Sequence, residues 1–245
     1  MYQKGTLAPT NPVSVYYGGK ELTPEESTNT SFGFVWDATE ALNVTFDFYS
    51  IELEDRITQG DDISITAADI ALLQSLGVPG AGDLTNFRFY VNDFDTTTDG
   101  FDVVATYDTE IANGNTSFTF VYSDVETEVD RTGGLIGSGR IDQLEKLLPG
   151  KRWNLSAVHN TGDWRVLGRM NWVDEWFTEE WGGGGGYISD MSTIDLEVSR
   201  DLGDYTLTFG AQNAFDDHPD KEKRGLILGW EYPEASPLGL SLIHI

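Results

Sequence analysis

Eight stretches of alternating polarity, joined by connections that are short and long in strict turn, limit this chain more than any other feature. Phe32, Phe34 and Trp36 alternate with Ser31, Gly33 and Val35, and Leu42, Val44, Phe46 and Phe48 with Asn43, Thr45 and Asp47. Phe101, Val103, Ala105 and Tyr107 follow, then Phe118, Phe120 and Tyr122, then Trp153, Leu155 and Ala157. Trp164, Val166, Gly168, Met170 and Trp172, then Ile194, Leu196 and Val198, and last Tyr205, Leu207, Phe209 and Ala211 complete the series. A period of two puts one set of side chains on each face of a sheet. Short turns are expected at residues 37–41, 111–115, 160–163 and 202–204, and long loops at 59–86, 126–151, 177–191 and 216–237. Tight turns at one end and long loops at the other define an antiparallel meander of about eight strands, an all-β fold.

The same alternation suits a soluble, secreted all-β binding module, whose polar face meets water, and a passive porin-like barrel. Two details favour a membrane wall. Trp36, Tyr107, Trp153, Trp164, Trp172 and Tyr205 fall near strand ends, where an interfacial girdle places aromatic rings. The apolar faces are nearly free of charge, while Asp47, Asp102, Arg165, Arg169, Asp195 and Glu197 share the opposite face. On this reading Phe118, Phe120, Leu155, Val166, Leu196, Leu207 and Phe209 face lipid, with Leu207 at mid-membrane depth, and the charged set faces the lumen. No run of about 18 apolar residues marks a membrane-crossing helix.

Charge removes one class of partner. Fifteen basic against 41 acidic residues give a formal net charge of −26. A nucleic-acid binder needs a basic stripe to displace counterions, so no nucleic acid is expected. Cysteine is absent, which excludes a disulfide framework and thiolate metal sites.

Two local readings refine the map. After Phe48 the alternation continues one position out of step through Tyr49, Ile51 and Leu53, which predicts a β-bulge near Phe48 and Tyr49. Inside the first long loop, Thr66, Ala67, Ala68 and Asp69 resemble a helix start, and Ile70 and Leu76 lie in an apolar run stopped by Gly77 and Pro79. A short surface helix is expected there.

Four motifs now line up in order. Leu22-Thr23-Pro24-Glu25-Glu26-Ser27-Thr28-Asn29, running into Phe32-Gly33-Phe34-Val35-Trp36, resembles a segment of TonB-dependent receptors. Residues 42–57, ending Ile51-Glu52-Leu53-Glu54-Asp55-Arg56-Ile57, look like that family's next strand. Asn92 and Asp93, with Thr96-Thr97-Thr98-Asp99-Gly100-Phe101-Asp102-Val103 and Tyr107, are similar to a further strand of it. Gly210-Ala211-Gln212-Asn213-Ala214-Phe215-Asp216-Asp217-His218-Pro219 resembles its near-terminal signature, with Tyr232 and Ser236-Pro237-Leu238-Gly239 at the usual distance.

The resemblance covers about residues 20–239. It implies part of the wall of a barrel of about 22 strands in the outer membrane of a Gram-negative bacterium, filled by a plug domain. Such receptors bind a scarce small-molecule nutrient (an iron chelate, cobalamin or a carbohydrate) at the cell surface, and TonB-driven import follows. The implied partners are outer-membrane lipid, the plug and TonB system, and the nutrient. Residues 1–12 show no secretory signal, so residues 1–239 are expected to be the C-terminal part of such a barrel. Leu240-Ser241-Leu242-Ile243-His244-Ile245 resembles the translation of a sequencing-adapter remnant in place of the family's last strand.

Nothing in the sequence asks for catalysis, a cofactor or a metal. His159, His218 and His244 are far apart, and no serine lies in a nucleophile elbow. The glycine run at 182–186 lacks the Lys-Ser/Thr of a phosphate loop. Asp216-Asp217-His218-Pro219-Asp220, Asp61-Asp62 and Glu179-Glu180 read as solvated loop acids. Recognition residues usually sit on long loops of a rigid scaffold. Trp176, Trp181, Tyr187 and Trp230 are therefore the expected ligand-binding residues, with a girdle role as the other reading of Trp176. Arg165, Arg169, Asp195 and Glu197 are the lumen-facing candidates.

Overall fold

The computed structural model describes residues 4–179 and 185–221. In chain order the elements are β1 (Lys4–Thr6), α1 (Pro12–Tyr16), β2 (Glu26–Asp37), β3 (Leu42–Gln59), β4 (Ile63–Ser64), α2 (Ala67–Ser75), a 3-10 turn (Ala81–Asp83), β5 (Asn86–Arg88) and β6 (Tyr90–Ile111). Then come β7 (Gly114–Thr132), α3 (Ser138–Lys146), β8 (Lys151–Thr161), β9 (Trp164–Val173), β10 (Trp176–Glu179), β11 (Gly185–Ile188), β12 (Met191–Asp201) and β13 (Thr206–Ala211).

All eight expected wall strands form, and they pair in sequence order: β13-β12-β9-β8-β7-β6-β3-β2 in one antiparallel sheet. Its first and last strands do not pair with each other, so the sheet is open. The expected tight turns are present. Between β6 and β7, Ala112 (φ 50°) and Asn113 (φ 61°) are both left-handed, as a two-residue hairpin turn requires.

Register fixes the faces. Phe120 pairs with Leu155, and Leu155 with Met170; Gly168 pairs with Leu196, and Val198 with Val166 and Phe209. Paired residues share a face, so these side chains form one apolar surface. Among the described residues nothing covers it: Phe209 is 66% exposed and Leu196 48%. On the other face Asp195 pairs with Arg169, and Ser199 with Arg165 and Thr208. Exposed apolar side chains collected on a single face need a non-aqueous neighbour.

The expected bulge at Phe48 and Tyr49 is not found. Phe46 stacks on Phe34 and Phe101, on the apolar face. The Tyr49 ring covers the Cα of Gly100, on the opposite face from Phe101. Regular alternation therefore runs from Phe46 to Tyr49, and the chemistry changes face while the backbone does not. The left-handed residue of β3 lies further on, at Asp55 (φ 51°).

Contacts divide the chain into two compact units. One comprises residues 30–50, 98–126 and 145–245 and contains the wall strands or parts of them. The other comprises residues 1–29, 51–97 and 127–144. In this second unit the long connection 59–86 is not a loop. β1 pairs in parallel with β5 and β4 antiparallel with it, over a core of Leu7, Val13, Leu73, Ala81, Phe87, Phe89 and Val91. The sequence hides this sheet because strands of two or three residues have no readable period. α3 also escaped the sequence reading, since Ile141 and Leu144 are its only large apolar residues.

The expected helix is α2, capped by Thr66 and closed after Leu76 by Gly77 at φ 73°. It is not merely a surface helix, because Leu73 is fully buried. The Asp69 carboxylate accepts from the Thr66 N–H (2.8 Å), the Thr66 hydroxyl (2.6 Å) and the Tyr17 hydroxyl (3.1 Å). Burial pushes its pKa up, but the bonds from Thr66 and Tyr17 outweigh burial and hold it below the ordinary carboxylate range. A depressed folded-state pKa contributes stability that is fully present above the unfolded value, about 3.9, and is lost as pH falls through the folded one. Acid should therefore loosen α2 and Tyr17 below about pH 4. Hydrogen exchange of the α2 amides checks this: Asp69→Asn should flatten the pH dependence.

Candidate functional site

Aromatic rings mark both ends of the wall. At the turn end Trp164 pairs with Arg200, whose guanidinium lies 4.9 Å above the indole ring. At the loop end Trp153 and Trp172 pair and stack, with ring centroids 6.2 Å apart, and Tyr122 pairs with Trp153. Trp164 and Trp172 are roughly 26 Å apart along β9, at about 3.3 Å per residue. With barrel strands tilted by about 35–45° this corresponds to about 20 Å of wall height, close to the ~25 Å apolar band of an outer-membrane barrel. Leu207 does not sit at mid-depth, as expected, but opposite Arg200 at the turn end. Leu196 opposite Gly168 holds the middle position.

β10 and β11 form a hairpin at the loop end, with Trp176 paired to Ile188 and Phe177 to Tyr187. Trp176 is buried to 1% exposure, against Ile188, Met191 and Val173. Its ring thus packs the base of the hairpin and offers no free face, contrary to the ligand-contact expectation. The reason is that Met191, which opens β12, and Val173, which closes β9, join Ile188 in an apolar cluster around the ring. Tyr187 is 56% exposed and packs edge-on against Phe177. Trp181 and Trp230 lie outside the described residues, as does the 240–245 tail.

The four polar-face candidates come together. Arg165 Nη1 donates to Glu197 Oε1 at 2.5 Å. Asp195 stands opposite Arg169 in register, and its carboxylate accepts from Asn171 Nδ2 (3.1 Å) and the Asn213 N–H (2.9 Å). Asn213 also bonds both ways with Asp217, so the near-terminal motif is a structural turn. Both members of the Arg165–Glu197 pair are more than a third exposed, which limits its contribution to about 0–1 kcal/mol.

In the second unit, three of the sequence motifs meet. The Thr23 N–H donates to Asn92 Oδ1 (2.9 Å), and Asn92 Nδ2 donates to the carbonyls of Thr23 (3.0 Å) and Asp55 (2.5 Å). The Ile57 N–H donates to Glu25 Oε1 (2.7 Å), and Arg56 Nη1 to Thr96 Oγ1 (3.0 Å), with the Arg56 guanidinium over the Phe94 ring. Arg131 grips Asp95 through Nε and Nη2 and reaches Asp55 Oδ1 at 3.1 Å. The sequence reading named Asn92 and Asp55 within motifs but assigned them no contact. Arg131 had no signal, lying in an expected loop that β7 instead spans.

An open antiparallel sheet with one lipid-type face, one polar face and aromatic rows at both ends is the wall of a transmembrane β-barrel. The family TonB dependent receptor-like, beta-barrel, matches over residues 1–214, and the chain belongs to that family. It is an outer-membrane protein of a Gram-negative bacterium. Among solved structures, the FrpB iron transporter from Neisseria meningitidis (F3-3 variant) is similar at TM-score 0.56 and 13% identity, over 79% of this chain and 27% of that one. The outer membrane transporter YddB from Escherichia coli aligns at TM-score 0.58 and 11% identity, over 82% and 30%. The ferripyoverdine receptor of the Pseudomonas aeruginosa outer membrane, bound to ferripyoverdine, aligns at 0.54 and 18%, over 82% and 25%. At these identities the likeness shows the fold alone. The chain spans less than a third of each of these structures. No curated protein matches the sequence.

Proposed function

We propose that the chain forms part of the wall and cell-surface loops of a receptor that captures a scarce nutrient, an iron chelate, cobalamin or a carbohydrate, for TonB-driven import. The observation that carries this reading is the loop-end hairpin, held on the rigid wall by Trp176, with Tyr187 exposed beside Phe177. Aromatic rings stack on sugar and chelate rings, and loop carboxylates accept hydrogen bonds from hydroxyl groups. Among these solutes an iron chelate comes first in the proposal, because the FrpB iron transporter and the ferripyoverdine receptor share the fold. The net charge of −26 disfavours a polyanionic ligand at low salt, since like charges repel within a Debye length of ~10 Å. A neutral or metal-charged solute fits better. Tyr187, Trp181 and Trp230 are the contact residues in this proposal, and Trp176 positions the hairpin. A plug domain fills the lumen and meets the face of Arg165, Arg169, Asp195 and Glu197.

Uptake of labelled substrate by cells making the receptor tests the assignment. Tyr187→Ala, Trp181→Ala and Trp230→Ala together should lower uptake several-fold while heat-modifiable barrel mobility stays unchanged. Unchanged uptake in the triple variant would remove these residues from the binding face. Uptake that persists without TonB would instead identify a passive pore.

A further inference from the structure

We propose that residues 20–25 form a strap that opens and closes on β3 and β6, with Asn92 as its latch. The strap runs from the α1–α2 packing on one side to β2 on the other, yet has no ladder partner among the described residues. Thr23 and Glu25 are exposed. Side-chain bonds hold it in place of a strand: the Asn92 amide pairs with both backbone groups of Thr23, as a neighbouring residue in a sheet would, and Glu25 accepts from the Ile57 N–H. A segment fastened by so few exposed polar bonds opens at lower cost than the paired strands around it.

The receiving side carries a strained residue. Asp55, a non-glycine residue at φ 51°, is kept left-handed by bonds to every polar group it has. Its N–H donates to Asp95 (2.9 Å), its carboxylate accepts from Arg131, and its carbonyl accepts from Asn92. Such a conformation persists only where its surroundings over-determine it. Asn92 belongs to the strap and to the strained residue at once, so opening the strap removes one of the three restraints on Asp55. The latch thus couples residues 20–25 to the backbone of β3. This goes beyond the receptor reading and does not depend on which solute is bound.

Hydrogen exchange on the intact receptor, in detergent or in membranes, tests the proposal. In the wild type, the Thr23 and Ile57 amides should exchange at least about tenfold faster than those of Leu155 and Val166 in the wall. Asn92→Ala should speed Thr23 by a further factor of about ten and leave Leu155 and Val166 unchanged. Glu25→Ala should speed Ile57 alone, and Glu25→Gln, which keeps an acceptor oxygen, should stay close to wild type. Strap amides as protected as the wall in the wild type would overturn the proposal. So would an Asn92→Ala variant in which Thr23 is unaffected, or in which the wall loses protection equally, since Asn92 would then be an ordinary packing residue.

Discussion

Leu196→Arg should destabilise the folded barrel by about 2–4 kcal/mol, and Leu207→Arg by only about 0–1 kcal/mol. Both leucines lie on the apolar face, so their difference is one of depth. Leu196 pairs with Gly168 and Ala211, and Gly168 is midway between Trp164 and Trp172 on β9. An arginine there would be about 13 Å along the strand from either aromatic row, too far for its guanidinium to reach the headgroups. Leu207 is opposite Arg200, which already holds its charge at the turn end against Trp164. Thr208 pairs with Ser199 on the polar face, and its substitution should be nearly silent. Urea titrations of the intact receptor in lipid vesicles, read by heat-modifiable mobility, would measure all three. Equal costs at 196 and 207 would mean that the depth assignment is wrong.

Trp176→Ala should cost about 3–5 kcal/mol, the range for truncating a fully buried large ring, but the loss should stay within the hairpin. The seat of Trp176 is a small cluster separate from the core of Leu73 and Phe87. A two-stranded hairpin is marginal without such packing. Exchange of the Phe177 and Ile188 amides should therefore rise steeply while β8 and β9 stay protected. Trp176→Phe should be mild, within about 1.5 kcal/mol, because it keeps most of the apolar volume. It also discards an indole N–H that has no acceptor among the described residues. If Trp176→Ala left Ile188 protected, Trp176 would not be the anchor.

Much of the wall was legible because a strand buried on neither or only one side by protein must write its two faces in alternate residues. Phe120, Leu155, Leu196 and Phe209 were correctly placed together on that ground alone, and so were Arg165 and Glu197 on the other face. The helix α2 was legible through Thr66 and Asp69, since a capping box is a local interaction. Trp176 was misread for the complementary reason. Its burial depends on Ile188 and Met191, which lie across the hairpin and more than ten residues on in sequence, where spacing along the chain gives no sign of them.

The sequence by itself determined the strand count, the alternation of short and long connections, and which residues of β8, β9 and β12 share a face. These follow from the period of a strand and from local turn chemistry, which act over a few residues. Only the tertiary structure decided depth, contact and the content of the connections. Depth is a property of register between strands, which separates Leu196 from Leu207 although both read alike along the chain. The meeting of Thr23, Asp55 and Asn92, like the parallel pairing of β1 with β5, joins residues distant in sequence through bonds with no periodic signature. Such contacts form because the sheet has already brought its strands together, and a one-dimensional pattern holds no trace of that proximity.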